Sequence, residues 1–310
     1  MVAPNQTMVT EFILQGFTEN PRLQALFFSL LLLLFIMALA GNALIIAAIH
    51  VSNGLHLPMY FFLANLAILD IICTSSILPK VLENLISVKK TISYGGCMNQ
   101  MFFFTWSLSS ELVLFTAMAY DRYMAICQPL HYSKMMSKTV CVGLAAFVWS
   151  SGGLNSLTLT SLVLTLSFCG PNFIPHFFCE IPPVLLLSCT PTYWINILSI
   201  TADMFLAGLN FFLTIVSYSF IIASIMKIRT REGKKRAFST CSSHLTVVTL
   251  YYSTVLYTYI LPVLGTLGSM DKLVSVLYTV LTPTLNPLIY TLRNKDVKVA
   301  LKKLFPFPLP

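Results

Sequence analysis

Residues 26–49 read LFFSLLLLLFIMALAGNALIIAAI, a run without one charged side chain. A bilayer's hydrocarbon core is about 30 Å thick and takes roughly 20 helical residues to cross, so this run predicts a membrane-spanning helix. Neither it nor the next apolar run carries the basic leader and small-residue cleavage site of a removable signal peptide, and it therefore reads as an uncleaved anchor. Outward from it, comparable runs occupy about 58–79, 97–125, 140–166, 195–226, 237–261 and 273–292. The whole chain is 56% hydrophobic and 10% charged, with a mean hydropathy of +0.80. Its apolar surface exceeds what one soluble core of this size hides, and lipid must be the solvent for much of it. The fold expected is all-α, a single polytopic domain over residues 1–310 built as a seven-transmembrane-helix bundle.

The net charge of +8 does not point to nucleic acid, because the basic residues sit between hydrophobic runs and form no coat on a polar domain. Lys227, Arg229, Arg231, Lys234, Lys235 and Arg236 share one short loop, and Arg293, Lys295, Lys298, Lys302 and Lys303 crowd the tail. The positive-inside rule makes both regions cytoplasmic. Seven crossings then put residues 1–25 outside and residues 293–310 in the cytoplasm, with the plasma membrane as the location. Asn5-Gln6-Thr7 is a glycosylation sequon in the segment so exposed, which makes Asn5 the glycan candidate. From Arg293 to Leu304 the tail reads as a short interfacial helix: Val297, Leu301 and Leu304 share one face, while Lys298, Lys302 and Lys303 reach anionic lipid headgroups. It has no cysteine to palmitoylate. No internal repeat, low-complexity tract or appended soluble domain is evident.

Of eight cysteines, this threading puts Cys97, Cys169, Cys179 and Cys189 outside and Cys127, Cys141 and Cys241 near the cytoplasm. Four external cysteines allow three pairings. A bridge from Cys97 to the long loop before the fifth span would draw that loop across the bundle's mouth as a lid. Cys73, inside the second span, reads as a small packing residue.

A charge at bilayer depth costs roughly 2.5 to 3.5 kcal/mol even on the lenient insertion scale, so each needs a reason. Asp70 and Glu111 are the clearest cases. Facing the interior at similar depth, they either coordinate a sodium ion or share one proton; alternatively each carboxyl is neutral and bonded to its helix neighbours. Asp203 lies closer to the outer side, facing ligand or water. On the third span Phe104, Leu108, Glu111, Phe115 and Arg122 follow steps of three, four and seven, and its two ends lie about 27 Å apart at 1.5 Å per residue. One helix thus touches an outer pocket and an inner partner, although an apolar stripe alone more often means packing.

The inner end of that span reads Met118-Ala119-Tyr120-Asp121-Arg122-Tyr123-Met124-Ala125-Ile126-Cys127. An Asp-Arg pair at a membrane boundary can hold the arginine closed and release it to a partner. The decapeptide resembles the signature of odorant receptors, a branch of the rhodopsin-like G-protein-coupled receptors. Further blocks fall in order: Gly41-Asn42; Leu55-His56-Leu57-Pro58-Met59-Tyr60-Phe61-Phe62-Leu63 followed by Asp70; Arg236-Ala237-Phe238-Ser239-Thr240-Cys241-Ser242-Ser243-His244-Leu245; and Pro283-Thr284-Leu285-Asn286-Pro287-Leu288-Ile289-Tyr290. Asn286-Pro287 should weaken the seventh helix's ladder, since proline lacks an N–H and clashes with the preceding turn.

The resemblance implies a receptor that binds a small, mostly apolar odorant from outside and activates a heterotrimeric G protein of the stimulatory olfactory type, raising cyclic AMP. It implies a switch formed by Asp121, Arg122, Tyr123, Tyr218, Asn286, Pro287 and Tyr290, and pairs Cys97 with Cys179 and Cys169 with Cys189. The family's ligand position maps onto Phe104, Thr105, Leu108, Ser109, Leu206, Val255, Leu256, Tyr259 and Thr279, an apolar set with a few hydroxyls. No organic cofactor is expected. Two departures from the family pattern bear on this site: Ser253 stands where glycine is common, which would stiffen the sixth helix near the pocket, and Pro191 replaces a common Asp. Alternatives are a rhodopsin-like receptor for a non-odorant molecule and a polytopic transporter. A transporter would show repeated halves or paired broken helices. An enzyme would need a nucleophile or metal constellation, and five scattered histidines supply none. Phe104 and Thr105 stand where an amine receptor keeps an acid.

Overall fold

The computed structural model describes residues 9–169, 172–263, 271–293 and 295–304. It is an α-helical polytopic membrane protein. Helix α1 spans Pro21–Val51, α2 Pro58–Ile86, α3 Tyr94–Cys127, α4 Tyr132–Met135, α5 Lys138–Leu164, α6 Ile181–Leu185, α7 Tyr193–Lys227 and α8 Arg231–Val263. Then come α9 Asp271–Val276, a π-turn Leu277–Leu281, α10 Thr282–Arg293 and α11 Lys295–Leu304. Among the described residues, α1, α2, α3, α5 and α7 are long and apolar enough to cross a membrane.

Local sequence sets the helix starts. Asn20 caps α1 by accepting from the Arg22 amide at 3.0 Å, with Pro21 in the first helical position. Ser93 caps α3 by accepting from Gly96 N at 3.1 Å. Helix α2 does not stop near Pro79, where its apolar run ends, but continues to Ile86. Pro79 leaves the Ser75 carbonyl without its ladder donor, and in the same turn Gln100 of α3 donates to the neighbouring Ser76 carbonyl at 3.0 Å. A side chain from a neighbouring helix thus braces the turn that the proline loosens.

Helix α3 is the buried axis, packed against α2, α5 and α7. Its contact with α5 is close enough to require glycine: a Cβ at Gly152 would lie 2.8 Å from the Ser110 amide nitrogen and 3.0 Å from the Trp106 carbonyl. Beside it Trp106 Nε1 donates to the Trp149 carbonyl at 3.0 Å, and Trp149 Nε1 donates to Asn65 Oδ1 at 2.8 Å, tying α3, α5 and α2 together.

The seventh helical segment departs from a simple proline bend. Pro287 sits inside α10, and the irregular turn precedes it at Leu277–Leu281. Threonine hydroxyls hold this stretch: Thr282 Oγ1 donates to Leu277 O at 3.0 Å, five residues back, and Thr279 and Thr284 donate to carbonyls four residues back. The Pro283 carbonyl, which Pro287 cannot pair, accepts instead from Asn42 Nδ2 of α1 at 3.1 Å. Gly41 lets the ring approach, since a Cβ there would meet Pro287 Cγ at 2.9 Å.

At one end of the bundle lies a small sheet that hydropathy did not foretell. Strand β1, Glu11–Leu14, pairs antiparallel with β2, Thr91–Ser93, and parallel with β3, Phe173–Ile174. Disulfides Cys97–Cys179 and Cys169–Cys189 bind the same end. At the opposite end α11 lays Val297 and Ala300 into the core and leaves Lys298, Lys302 and Lys303 exposed; the Leu304 side chain and Asn5 lie outside the described residues.

Candidate functional site

At the α11 end, Arg122 is buried and held loosely. Its Nε lies 3.9 Å from Asp121 Oδ2, and among the described residues its Nη2 has no hydrogen-bond partner. Asp121 is engaged elsewhere, accepting from the Tyr132 hydroxyl of α4 at 2.9 Å. Burial, and then Asp121 itself, push the Tyr132 phenol up, so it remains a proton donor to that carboxylate. Tyr218 of α7 meets His244 of α8, the hydroxyl 2.6 Å from Nδ1 with the rings stacked at 5.7 Å. The Tyr290 hydroxyl and His244 Nε2 are buried with no hydrogen-bond partner among the described residues. Tyr123 packs against Tyr120 and Phe220. The structure thus brings Arg122, Asp121, Tyr218 and Tyr290 to one end, with several buried polar atoms unsaturated. His244 and Tyr132 complete the arrangement. Sequence reading left both without a role, although His244 stands in the quoted block at the start of the sixth helix.

Midway along α3 lies a second polar patch. Asp70 is fully buried, and Asn286 Nδ2 donates to both of its carboxyl oxygens at 3.1 and 3.0 Å. Glu111 is buried within electrostatic range of Asp70, with the Tyr251 side chain as its hydrogen-bond neighbour. Glu111 Oε1 and Asn286 Oδ1 have no hydrogen-bond partner among the described residues. Carboxyl and amide oxygens are the donors a hard cation prefers. Among the described residues no group of three His, Cys, Asp or Glu side chains has metal-binding geometry.

At the disulfide end, residues 172–192 plug the bundle. Phe178 is fully buried and meets Phe104 edge-on at 5.2 Å, and Tyr278 lies 6.1 Å from the same ring. Gln100 holds this loop from below, its Oε1 accepting from Cys179 N at 2.7 Å. Of the sequence-derived ligand set, Phe104 packs under the loop, Thr105 is buried, and Leu108 is half-buried with its carbonyl accepting from Tyr251 at 3.0 Å. Thr279 is fully buried and donates to Ser275 O. Ser109 accepts from Asn155 Nδ2 of α5 at 2.9 Å, which ties it to the α3–α5 interface while leaving its own O–H free to donate. Leu206 is half-buried on α7. Val255, Leu256 and Tyr259 are carried by α8, and their side chains lie outside the described residues. Ser253 is exposed and donates to its own helix at Leu250 O, so its hydroxyl faces away from the interior. Pro191 is exposed on the loop. The aromatic partners Phe178, Tyr251 and Tyr278 escaped the sequence reading because contact across elements leaves no mark in one element's periodicity.

Comparison with known proteins bears on the whole chain. The family model described as "Olfactory receptor" matches residues 31–306. The chain is 60% identical to human Olfactory receptor 13A1 over 98% of this chain and 92% of that protein. It is 53% identical to human Olfactory receptor 13G1, over 98% and 99%, and 46% identical to mouse Olfactory receptor 5AR1, over 97% of each. A match this long and this close places the chain in the olfactory receptor family.

Proposed function

We propose that this chain is an odorant receptor of the plasma membrane that binds a small, mostly apolar ligand at the disulfide end and activates a heterotrimeric G protein at the Arg122 end. The observation that carries the reading is the course of α3, which holds Phe104 beneath the bridged loop at one end and a buried, incompletely paired Arg122 at the other. Helix α8 and the α9–α10 segment supply the sixth and seventh crossings: 33 residues of α8 span about 50 Å. The amino end, with its Asn5 glycan, faces outside, the basic loop and tail face the cytoplasm, and α11 lies in the interface.

In this reading residues 172–192 form the lid, and Phe104, Thr105, Leu108, Ser109, Leu206, Val255, Leu256, Tyr259 and Thr279 contact ligand. Asp121, Arg122, Tyr123, Tyr218, Asn286, Pro287 and Tyr290 form the switch, with stimulatory coupling that raises cyclic AMP. Asp70 and Glu111, with Asn286, hold a sodium ion or one shared proton. The test is an odorant panel read by a cyclic AMP reporter in cells displaying the tagged receptor. A concentration-dependent response that disappears in Arg122→Ala at equal surface level is expected. Responses that persist in that variant would overturn the switch assignment.

A further inference from the structure

The loop that covers the bundle carries a polar cluster that neither the ligand set nor the switch uses. His176 is buried, and its Nε2 lies 3.3 Å from Ser275 Oγ of α9 and 3.6 Å from Glu180 Oε1 of its own loop. Tyr278 of the π-turn donates to Glu180 Oε2 at 3.4 Å and to Ser275 Oγ at 3.2 Å. Two loop residues and two residues of the seventh segment therefore close one ring of polar contacts. The His176 ring is also gripped by its neighbours, stacked on Phe177 at 4.6 Å and edge-on to Phe178 at 4.7 Å. Phe177 in turn stacks on Phe17 of the amino segment at 4.5 Å.

We propose that His176 is a positioning residue: as a neutral imidazole it fastens the lid to the seventh helical segment, and its protonation from the extracellular side loosens the lid. This rests on the reading of residues 172–192 as a lid, and on the orientation that puts them outside.

Burial sets the direction, and the charged and polar groups around the ring modify it. From its own loop Glu180 favours a proton on His176. From α9 the Lys272 ammonium opposes it. That ammonium is fixed by donating to the Gly16 carbonyl at 3.2 Å, with Lys90 nearby. From the π-turn Tyr278 supplies a neutral phenol. Burial first, and Lys272 second, outweigh the attractions and push His176 down to about 4 from its ordinary 6.5. A histidine held below its open-state value stabilises the closed form above pH 6.5, and that contribution is lost as pH falls through the window toward 4. Between pH 7.5 and 5 the open lid gains protons that the closed lid refuses, which raises its population roughly tenfold or more.

The experiment is hydrogen exchange on the full chain in lipid nanodiscs at pH 7.5 and 5, corrected for the intrinsic pH dependence of exchange. Peptides from α5 serve as the internal reference against global unfolding. Wild-type peptides covering residues 172–192 should lose about tenfold or more in protection at the lower pH, and His176→Asn should show the same protection at both. A second variant, Lys272→Gln, removes the opposing charge and should shrink the wild-type loss. An unchanged lid at pH 5 in the wild type, an equal loss in His176→Asn, or a full-sized loss in Lys272→Gln would overturn the proposal. No ligand is added, so failure to find an odorant leaves this outcome untouched.

Discussion

The two ends of the bundle are held together by different physics. At the disulfide end, two covalent bridges, a three-stranded sheet and a file of touching aromatic rings lock the loop between α5 and α7 onto the helices. At the arginine end the ties between helices are side-chain contacts such as Tyr132–Asp121 and Tyr218–His244, and buried atoms of Arg122, His244 and Tyr290 lack partners among the described residues. An unsatisfied buried polar group costs roughly 1–3 kcal/mol, so a partner that supplies the missing bonds recovers that energy. One end is stapled covalently, although Asn84 and His176 Nδ1 also lack partners there among the described residues, while the other is held by side-chain contacts alone and offers buried polar atoms to an incoming surface. In the proposed receptor the arginine end is the one that has to open toward a G protein, and the covalent staples leave it free to do so.

The largest test of the contrast is covalent. Cys97→Ser removes a bridge across a separation of 82 residues and should cost about 2–5 kcal/mol. Surface labelling of a tagged receptor should collapse, whereas Cys127→Ser, at the other end, should leave it unchanged. Next comes Gly41→Val, which drives a side chain onto the rigid Pro287 ring and should destabilise the α1–α10 junction by about 1–3 kcal/mol. A lowered melting temperature in nanodiscs would show this, and an unaltered one would refute the close approach. Tyr218→Phe removes the 2.6 Å contact to His244 and should cost about 0.5–1.5 kcal/mol, read as a small shift of the same transition. The smallest effect belongs to Lys80→Ala: its 2.7 Å pair with Glu83 is partly solvent-exposed, and its loss should change stability by about 0–1 kcal/mol.

Hydropathy and the motif blocks made the helical architecture legible, because a bilayer allows few solutions to the backbone hydrogen-bond problem. The roles of single residues were harder to read. Asp70, Glu111 and Arg122 stood out because charge in an apolar run demands explanation. His176, Tyr251 and Tyr278 did not, since their significance is in contacts with distant elements. Pro79 illustrates the opposite error: read locally it ends a helix, but the helix runs on to Ile86, with Gln100 of the next helix bonded to Ser76 O in the loosened turn. Ser109 also accepts from Asn155, 46 positions away, a contact that no local pattern announces. Strand β1 is too short and too near a polar terminus for any alternation to register.

That strand also bears on how the molecule is made. Glu11–Leu14 is synthesised well before its partners Thr91–Ser93 and Phe173–Ile174. At roughly 5–20 residues synthesised per second, the strand waits on the order of ten seconds before its second edge is filled. Until then its backbone donors and acceptors lack their strand partners and stay open to solvent or to a chaperone. Completion of this short ribbon therefore requires that α5 has been made and the following loop delivered, so its closure is a late event in assembly.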